Sequence, residues 1–215
     1  MAVMSASGLS FSYRGRRGTE LFSGLSHSFE GGSVTAVTGP SGRGKSTLLY
    51  ILGLMLRPTS GYVMIDGAAV SSNADASRSA YRATRLGFIF QDASLDPTRS
   101  ILDSILEPAL YAGQRKSELI ERGHALLDEM GVLARADHRP GEISGGQAQR
   151  VAVCRALIND PAIILADEPT GNLDRKNAEI VLDAISRQAS QDGRTVIIAT
   201  HDDYVLSRVD EVLEL

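Results

Sequence analysis

Cysteine is almost missing from this chain. Cys154 is the only one among 215 residues, so no internal disulfide can form, and the composition suits a reducing compartment. A basic excess is missing too: 22 lysines and arginines face 26 acids, a formal charge of −4 with a pI near 5.6. That balance argues against nucleic acid as a partner, because duplex binders carry a positive surplus. Long apolar runs are absent. The most apolar stretch, Leu48 to Leu56, has nine residues and is interrupted by Tyr50 and Gly53, whereas a membrane-spanning helix needs roughly 18–20. Met1 to Tyr13 lacks a basic start followed by an apolar core, so no secretory signal is read there and a cytoplasmic location is expected. No internal repeat stands out.

What is present is ordinary globular material. Hydrophobic residues make up 43%, charged residues 22%, and mean hydropathy is −0.05, which excludes a collagen-like or wholly disordered chain. At roughly 150 residues per domain, the length fits one domain with an insertion or two small lobes. Short apolar runs at Val34–Thr38, Tyr62–Ile65, Leu86–Phe90, Ala162–Ala166 and Val196–Ala199 are bounded by glycine or polar turns. Such runs suit strands buried on both faces, hence a mostly parallel sheet covered by helices. Helical patterns occupy Ser46–Leu56, Ser117–Met130, Ser144–Ile158 and Arg175–Gln191; the first is apolar nearly all round and the second begins with a good cap. Alternating strands and helices predict an α/β fold. The middle, from about Asp92 to Ile158, lacks convincing strands and reads as a helical insertion, and Asn73 to Ser79 reads as a surface loop.

Gly39-Pro40-Ser41-Gly42-Arg43-Gly44-Lys45-Ser46 fits the G-x-x-x-x-G-K-[ST] phosphate loop between a strand and a helix. The glycines let the backbone curl until several N–H groups converge on phosphate oxygens, and the helix start adds its dipole. Lys45 would balance charge on the β- and γ-phosphates, Ser46 would ligate Mg²⁺, and Thr47 would back up a phosphate contact. A second element is Ala162 to Glu168, an apolar strand ending in two acids. Asp167 is placed to hold a metal-bound water, and Glu168 to polarise an attacking one. At this level the residues describe a P-loop nucleoside triphosphatase.

Ser144-Gly145-Gly146-Gln147, followed by Gln149-Arg150, narrows the reading. With it the chain resembles the ATP-binding cassette family, the nucleotide-binding subunits of ABC transporters, over essentially its whole length. The motifs come in order: the phosphate loop at Gly39–Thr47, a glutamine at Gln91, the signature at Ile143–Gln147, and the acidic strand at Ile163–Glu168. A D-loop at Asn172-Leu173-Asp174 and a switch histidine at His201 complete the series. The resemblance implies a P-loop core with a mostly parallel sheet, an antiparallel β part near the amino terminus, and a helical insertion carrying the signature. It implies a single cassette domain over 1–215, with 1–91 and 159–215 as a RecA-like core and 92–158 as the helical subdomain. It also implies ATP and Mg²⁺ as cofactors, a head-to-tail dimer of two copies, and a separate integral-membrane permease that holds the subunit on the cytoplasmic face of the membrane.

By the same resemblance, ATP sits between Lys45 of one copy and Ser144, Gly145, Gly146 and Gln147 of the other. Glu168 is the general base, His201 holds the γ-phosphate and the water in line, Gln91 reaches Mg²⁺ or that water, and Asp174 shapes the loop between the two sites. Tyr13 is placed to stack on adenine, with Phe11 as its rival and a core role as the alternative. Arg14, Arg16 and Arg17 read as a solvated loop. Arg43 departs from the small residue usual at its position and raises the idea of an ion pair to Asp174 across the dimer, or else a guanidinium in solvent. Cys154 reads as an apolar filler.

Glu168 to Asp174 looks like the group of lipoprotein-release, macrolide-export and cell-division cassettes, whereas Ser94 to Thr98 is closer to peptide importers. Export or mechanical transmission is therefore expected, with regulation of a membrane protein without transport, or import, as alternatives. With a short tail after His201, the regulatory domain that the resemblance associates with some importers is not expected.

Overall fold

The computed structural model describes residues 2–13 and 20–215. Its first half contains β1 (Ala2–Ser12), β2 (Glu20–Glu30), β3 (Val34–Thr38), α1 (Lys45–Leu52), β4 (Ser60–Ile65), β5 (Ala68–Ala69), α2 (Asp75–Arg85) and β6 (Leu86–Ile89). There follow α3 (Ile101–Tyr111), α4 (Lys116–Glu129), α5 (Gly145–Leu157), β7 (Ile163–Asp167), α6 (Arg175–Ser190), β8 (Thr195–Ala199), α7 (Asp203–Leu206) and β9 (Glu211–Glu214). Two short 3-10 turns lie between α4 and α5.

The strands form two sheets. One is antiparallel in the order β2-β1-β4-β5; the other is parallel in the order β6-β7-β8-β3-β9. The inner parallel strands β3, β7 and β8 are mostly apolar because both faces are covered, whereas β9 at the edge is half-charged and largely exposed. On β7, Ile163 and Leu165 pack into a core shared with α1 and the antiparallel sheet, while Ile164 and Ala166 face a second core built with α3 to α6. Each fully buried isoleucine or leucine among them is worth about 1.5–3 kcal/mol relative to exposure. Between Asp92 and Ile158 the described elements are helical, as the absence of strand patterns predicts.

Three local expectations need correction. Asn73–Ser79 is not a loop, since α2 begins at Asp75. This helix docks through arginines instead of an apolar stripe: Arg78, 7% exposed, and Arg82 both donate to the carbonyl of Leu54. α1 stops at Leu52, four residues before the apolar composition ends, because the chain turns at Gly53 and Leu54 sits at φ +59°. α4 starts at Lys116 with Arg115 at the cap position and no side-chain cap, so Ser117 does not serve there. Its predicted stop holds, since Gly131 lies at φ +63° just past the last turn.

Candidate functional site

β3 occupies the sheet between β8 and β9 and delivers the chain into the loop 39–44. Gly39 stands at φ +137°, where a Cβ would lie 2.8 Å from the carbonyl oxygen of Leu215, so only glycine fits the turn out of the strand. Gly44, at φ +101°, opens α1. The Lys45 ammonium folds back over the loop and donates to the carbonyl of Gly39 at 2.8 Å and, more weakly, of Pro40 at 3.4 Å. Ser46 Oγ donates to Asp167 Oδ1 at 2.9 Å. A cavity of about 520 Å³ opens over this loop. Ser41, Gly42, Gly44, Lys45, Ser46 and Thr47 form its floor, and Tyr13, Gln91, Glu168 and His201 stand around it. Arg43 is on the same loop but points into solvent, with no ion pair among the described residues.

Tyr13 stands at the mouth, half-exposed, its hydroxyl 3.1 Å from Thr47 Oγ1 and its ring edge-on to Phe11 at 4.9 Å. Phe11 is buried, so the two rings divide the roles that alternation along one strand leaves open: Phe11 belongs to the core and Tyr13 to the cavity. The arginines at 14, 16 and 17 fall outside the described residues.

The two acids after β7 differ in setting. Asp167 is 6% exposed, with Ser46 on one oxygen and the Tyr50 hydroxyl donating to the other at 3.2 Å. Burial raises its pKa, opposed by those two hydrogen bonds. Glu168 turns out of the strand at φ +44°, a left-handed conformation that a glutamate adopts only under constraint. Its Oε1 lies 2.5 Å from His201 Nδ1, and its Oε2 accepts from Thr200 Oγ1 at 3.0 Å. The His201 side chain is 72% exposed.

The Ser144 region lies elsewhere. Ser144 caps α5 by accepting from Gln147 N–H, while Gln147 Oε1 accepts from Ser144 N–H in return. This capping box is legible in the sequence. Neither Ser144 to Gln147 nor Asp174 lines the cavity over Lys45. Asp174 caps α6 instead, accepting from Asn177 N–H at 2.9 Å and from its side-chain amide at 2.8 Å, and these bonds hold its carboxyl below the usual range. The Asn177 amide rests on Gly146, whose missing Cβ would meet it at 2.6 Å. Gln91 lines both the large cavity and a smaller one, about 170 Å³, next to Gly145. The strand end before it is tied to α5 by Gln149, which donates to the carbonyl of Phe90, and Arg155 holds the carbonyls of Ala93 and Ser94 beyond it.

With this geometry in view, comparison with known proteins is direct. The family model described as "ABC transporter" matches residues 22–171. The chain belongs to the ABC transporter family. Its cassette is 40% identical over 202 residues to the lipoprotein-releasing system ATP-binding protein LolD of Paramagnetospirillum magneticum, covering 94% of this chain and 89% of that one. It is 47% identical over 191 residues to the macrolide export ATP-binding/permease protein MacB of Rhodopseudomonas palustris, spanning 89% of this chain but 29% of that longer protein. Among solved structures it superimposes on the ATP-binding cassette MJ0796, in a dimeric post-hydrolysis state bound to ADP and phosphate, with TM-score 0.91 at 31% identity over 99% of this chain and 94% of that one. The cassette is thus an ATP-binding, ATP-hydrolysing enzyme of P-loop fold, with the antiparallel and parallel sheets the resemblance implies.

Four side chains of this ABC cassette escape sequence reasoning. Tyr50, Thr200 and Asn177 are each one bond away from a motif residue, and Arg155 holds the backbone beyond Gln91. Of these, Arg155 alone carries a sequence cue, being a charge within the buried half of α5. Cys154 is the filler expected: it is buried, and that burial pushes its thiol pKa well up.

Proposed function

We propose that the cassette powers a separate integral-membrane partner by closing and reopening a head-to-tail dimer of two copies around two ATP molecules, in export or mechanical transmission. One observation carries this reading. The capped α5 start, where Ser144 and Gln147 bond each other and the N–H groups of Gly145 and Gly146 are left to donate to an anion, stands apart from the cavity over Lys45, so each copy holds two separate halves of a site. Two copies facing each other would complete both pockets. The γ-phosphate would then join the halves, and its release would let them part. The direction rests on the likeness to LolD and MacB. Among the described residues no helix is long and apolar enough to cross a membrane, which fits attachment to the cytoplasmic face of a membrane through the partner.

Within the pocket, the loop N–H groups and Lys45 bind the β- and γ-phosphates, and Tyr13 stacks on the base. Ser46 offers a hard oxygen of the kind Mg²⁺ prefers, and Asp167, 2.9 Å from it, would hold a water bound to that ion. Among the described residues no group of three or more His, Cys, Asp or Glu is arranged to hold a metal ion. When bound, Mg²⁺ would neutralise charge between the β- and γ-phosphates. Gln91 would face that ion or the lytic water. Glu168 takes the proton from the water whose oxygen attacks the γ-phosphorus, while the bond to the β-phosphate oxygen breaks and ADP leaves. His201 swings from Glu168 to the γ-phosphate. Asp174 shapes the loop between the two sites.

Glu168→Gln tests this. It should bind ATP as the parent does, lose about 10²–10⁴-fold in turnover, and accumulate as an ATP-dependent dimer on size exclusion. Affinity capture of that trapped form from membranes should bring the permease with it. Turnover at the parent rate, or a monomer at saturating ATP, would refute the reading.

A further inference from the structure

Thr200 directly follows β8 with 0% exposure, and none of the motifs above assigns it a task. Its backbone N–H is fixed to the carbonyl of Val37 at 3.0 Å. Its hydroxyl lies between two groups: Asp202 N–H at 3.1 Å and Glu168 Oε2 at 3.0 Å. A backbone N–H can only donate, so Thr200 Oγ1 is the acceptor from Asp202. Its own proton is then committed to the carboxylate, which can only accept. The rotor has one orientation. Glu168 is therefore held by two unlike arms: a buried hydroxyl anchored in the sheet on Oε2, and an exposed imidazole on Oε1 at 2.5 Å.

We infer that Thr200 is a positioning residue for hydrolysis: it pins Oε2 of Glu168, so that the departure of His201 frees Oε1 alone, already aimed, to receive the proton of the attacking water. This rests on the reading of Glu168 as general base. It also accounts for the left-handed backbone at Glu168, since φ +44° and the bond from Glu168 N–H to the carbonyl of Ala199 bring the carboxylate back beside the end of β8.

The experiment compares Thr200→Val, Thr200→Ser, Glu168→Gln and the Thr200→Val/Glu168→Gln double variant by steady-state ATPase, with ATP affinity and ATP-dependent dimerisation measured on each. Because a small misalignment of a catalytic group can cost on the order of 10²-fold, Thr200→Val should lose about 10–100-fold in kcat with KM for ATP and dimer population unchanged. Thr200→Ser, which keeps the hydroxyl, should stay within about threefold. In the Glu168→Gln background the valine should cost nothing further, because Thr200 acts through Glu168. Wild-type kcat in Thr200→Val, an equal loss in Thr200→Ser, or an additional loss of the same size beside Glu168→Gln overturns the inference. Full turnover by Glu168→Gln alone removes the base assignment instead. If the valine variant does not fold, Thr200→Ala, which removes the same oxygen, takes its place in the comparison.

Discussion

Gly146→Ala sets two small effects on stability against one large effect on assembly. A Cβ at 146 would lie 2.6 Å from Asn177 Cγ, 2.7 Å from Oδ1 and 2.9 Å from Nδ2. The obstacle is the end of a side chain, so it can yield, but only by giving up its 2.8 Å bond to Asp174. That loss costs about 0.5–1.5 kcal/mol. Alanine in a helix gains about 0.5–1 kcal/mol over glycine. The two nearly cancel, and a net change within about 1 kcal/mol moves Tm by no more than roughly 4 °C in a chain of this length. Assembly is another matter. The Asn177 amide that the methyl displaces lies beside the half-site that the proposed dimer closes, once in each of two pockets, and overpacking there costs about 1–3 kcal/mol per site. The sum of about 2–6 kcal/mol corresponds to roughly 30-fold to 10⁴-fold weaker dimerisation. Light scattering of the Glu168→Gln protein with and without the alanine, at saturating ATP, reads this directly, and nucleotide binding to the monomer should not change. An unaffected dimer would refute the two-half-site reading. A drop in Tm above about 10 °C would show that Gly146 serves the fold instead.

Two further outcomes are expected. Asp160, at φ +55°, accepts from Arg194 at 2.8 Å and Arg122 at 3.1 Å, and these bonds hold its carboxyl below the ordinary range. The depressed pKa stabilises the fold above the ordinary carboxylate pKa and stops doing so as pH falls through the folded value. Asp160→Asn, which keeps the left-handed preference, should therefore cost up to about 1 kcal/mol at neutral pH, the carboxylate being 70% exposed, with no difference in acid; an equal gap at every pH in urea titrations would contradict this. Arg43→Ser should weaken ATP-dependent dimerisation by about 0.2–1 kcal/mol per pocket at low salt and by nothing near 1 M salt, if Arg43 meets Asp174 across the interface; unchanged salt sensitivity would exclude that pairing.

The parts of the fold legible from sequence are those where burial is two-sided. β3, β6, β7 and β8 are read to within a residue or so at each end because each is a short apolar run with both faces covered, and helices of that length are uncommon. Legibility fails where an element is anchored by something other than apolar side chains. α2 is held by guanidinium groups on the carbonyl of Leu54, a signal that hydrophobic periodicity does not contain. β9 is a half-charged edge strand, Glu-Val-Leu-Glu, whose identity comes from pairing with β3 across the sheet. The long β1–β2 hairpin is rich in serine and glycine, so its alternation is faint, and only the resemblance pointed to it.

The same division runs through the site. The residues proposed to meet nucleotide are grouped in short contiguous strings, so Lys45, Ser46, Asp167, Glu168 and Ser144 can be nominated without a structure. The groups that aim them are distant in the chain: Tyr50 stands 117 positions from Asp167, and Thr200 stands 32 from Glu168. Their chemistry is unremarkable in isolation, a tyrosine on a helix and a threonine at a strand end, and only parallel pairing of β7 with β8 brings the second pair together. Gln91 extends the argument. It lines the cavity over Lys45 and the one beside Gly145, and the chain on either side of it is held by Gln149 and Arg155 of the helix that Ser144 caps. A displacement of Gln91 on nucleotide binding would therefore be passed through these carbonyls to α5, and with it to the Ser144–Gly146 half-site of the proposed dimer.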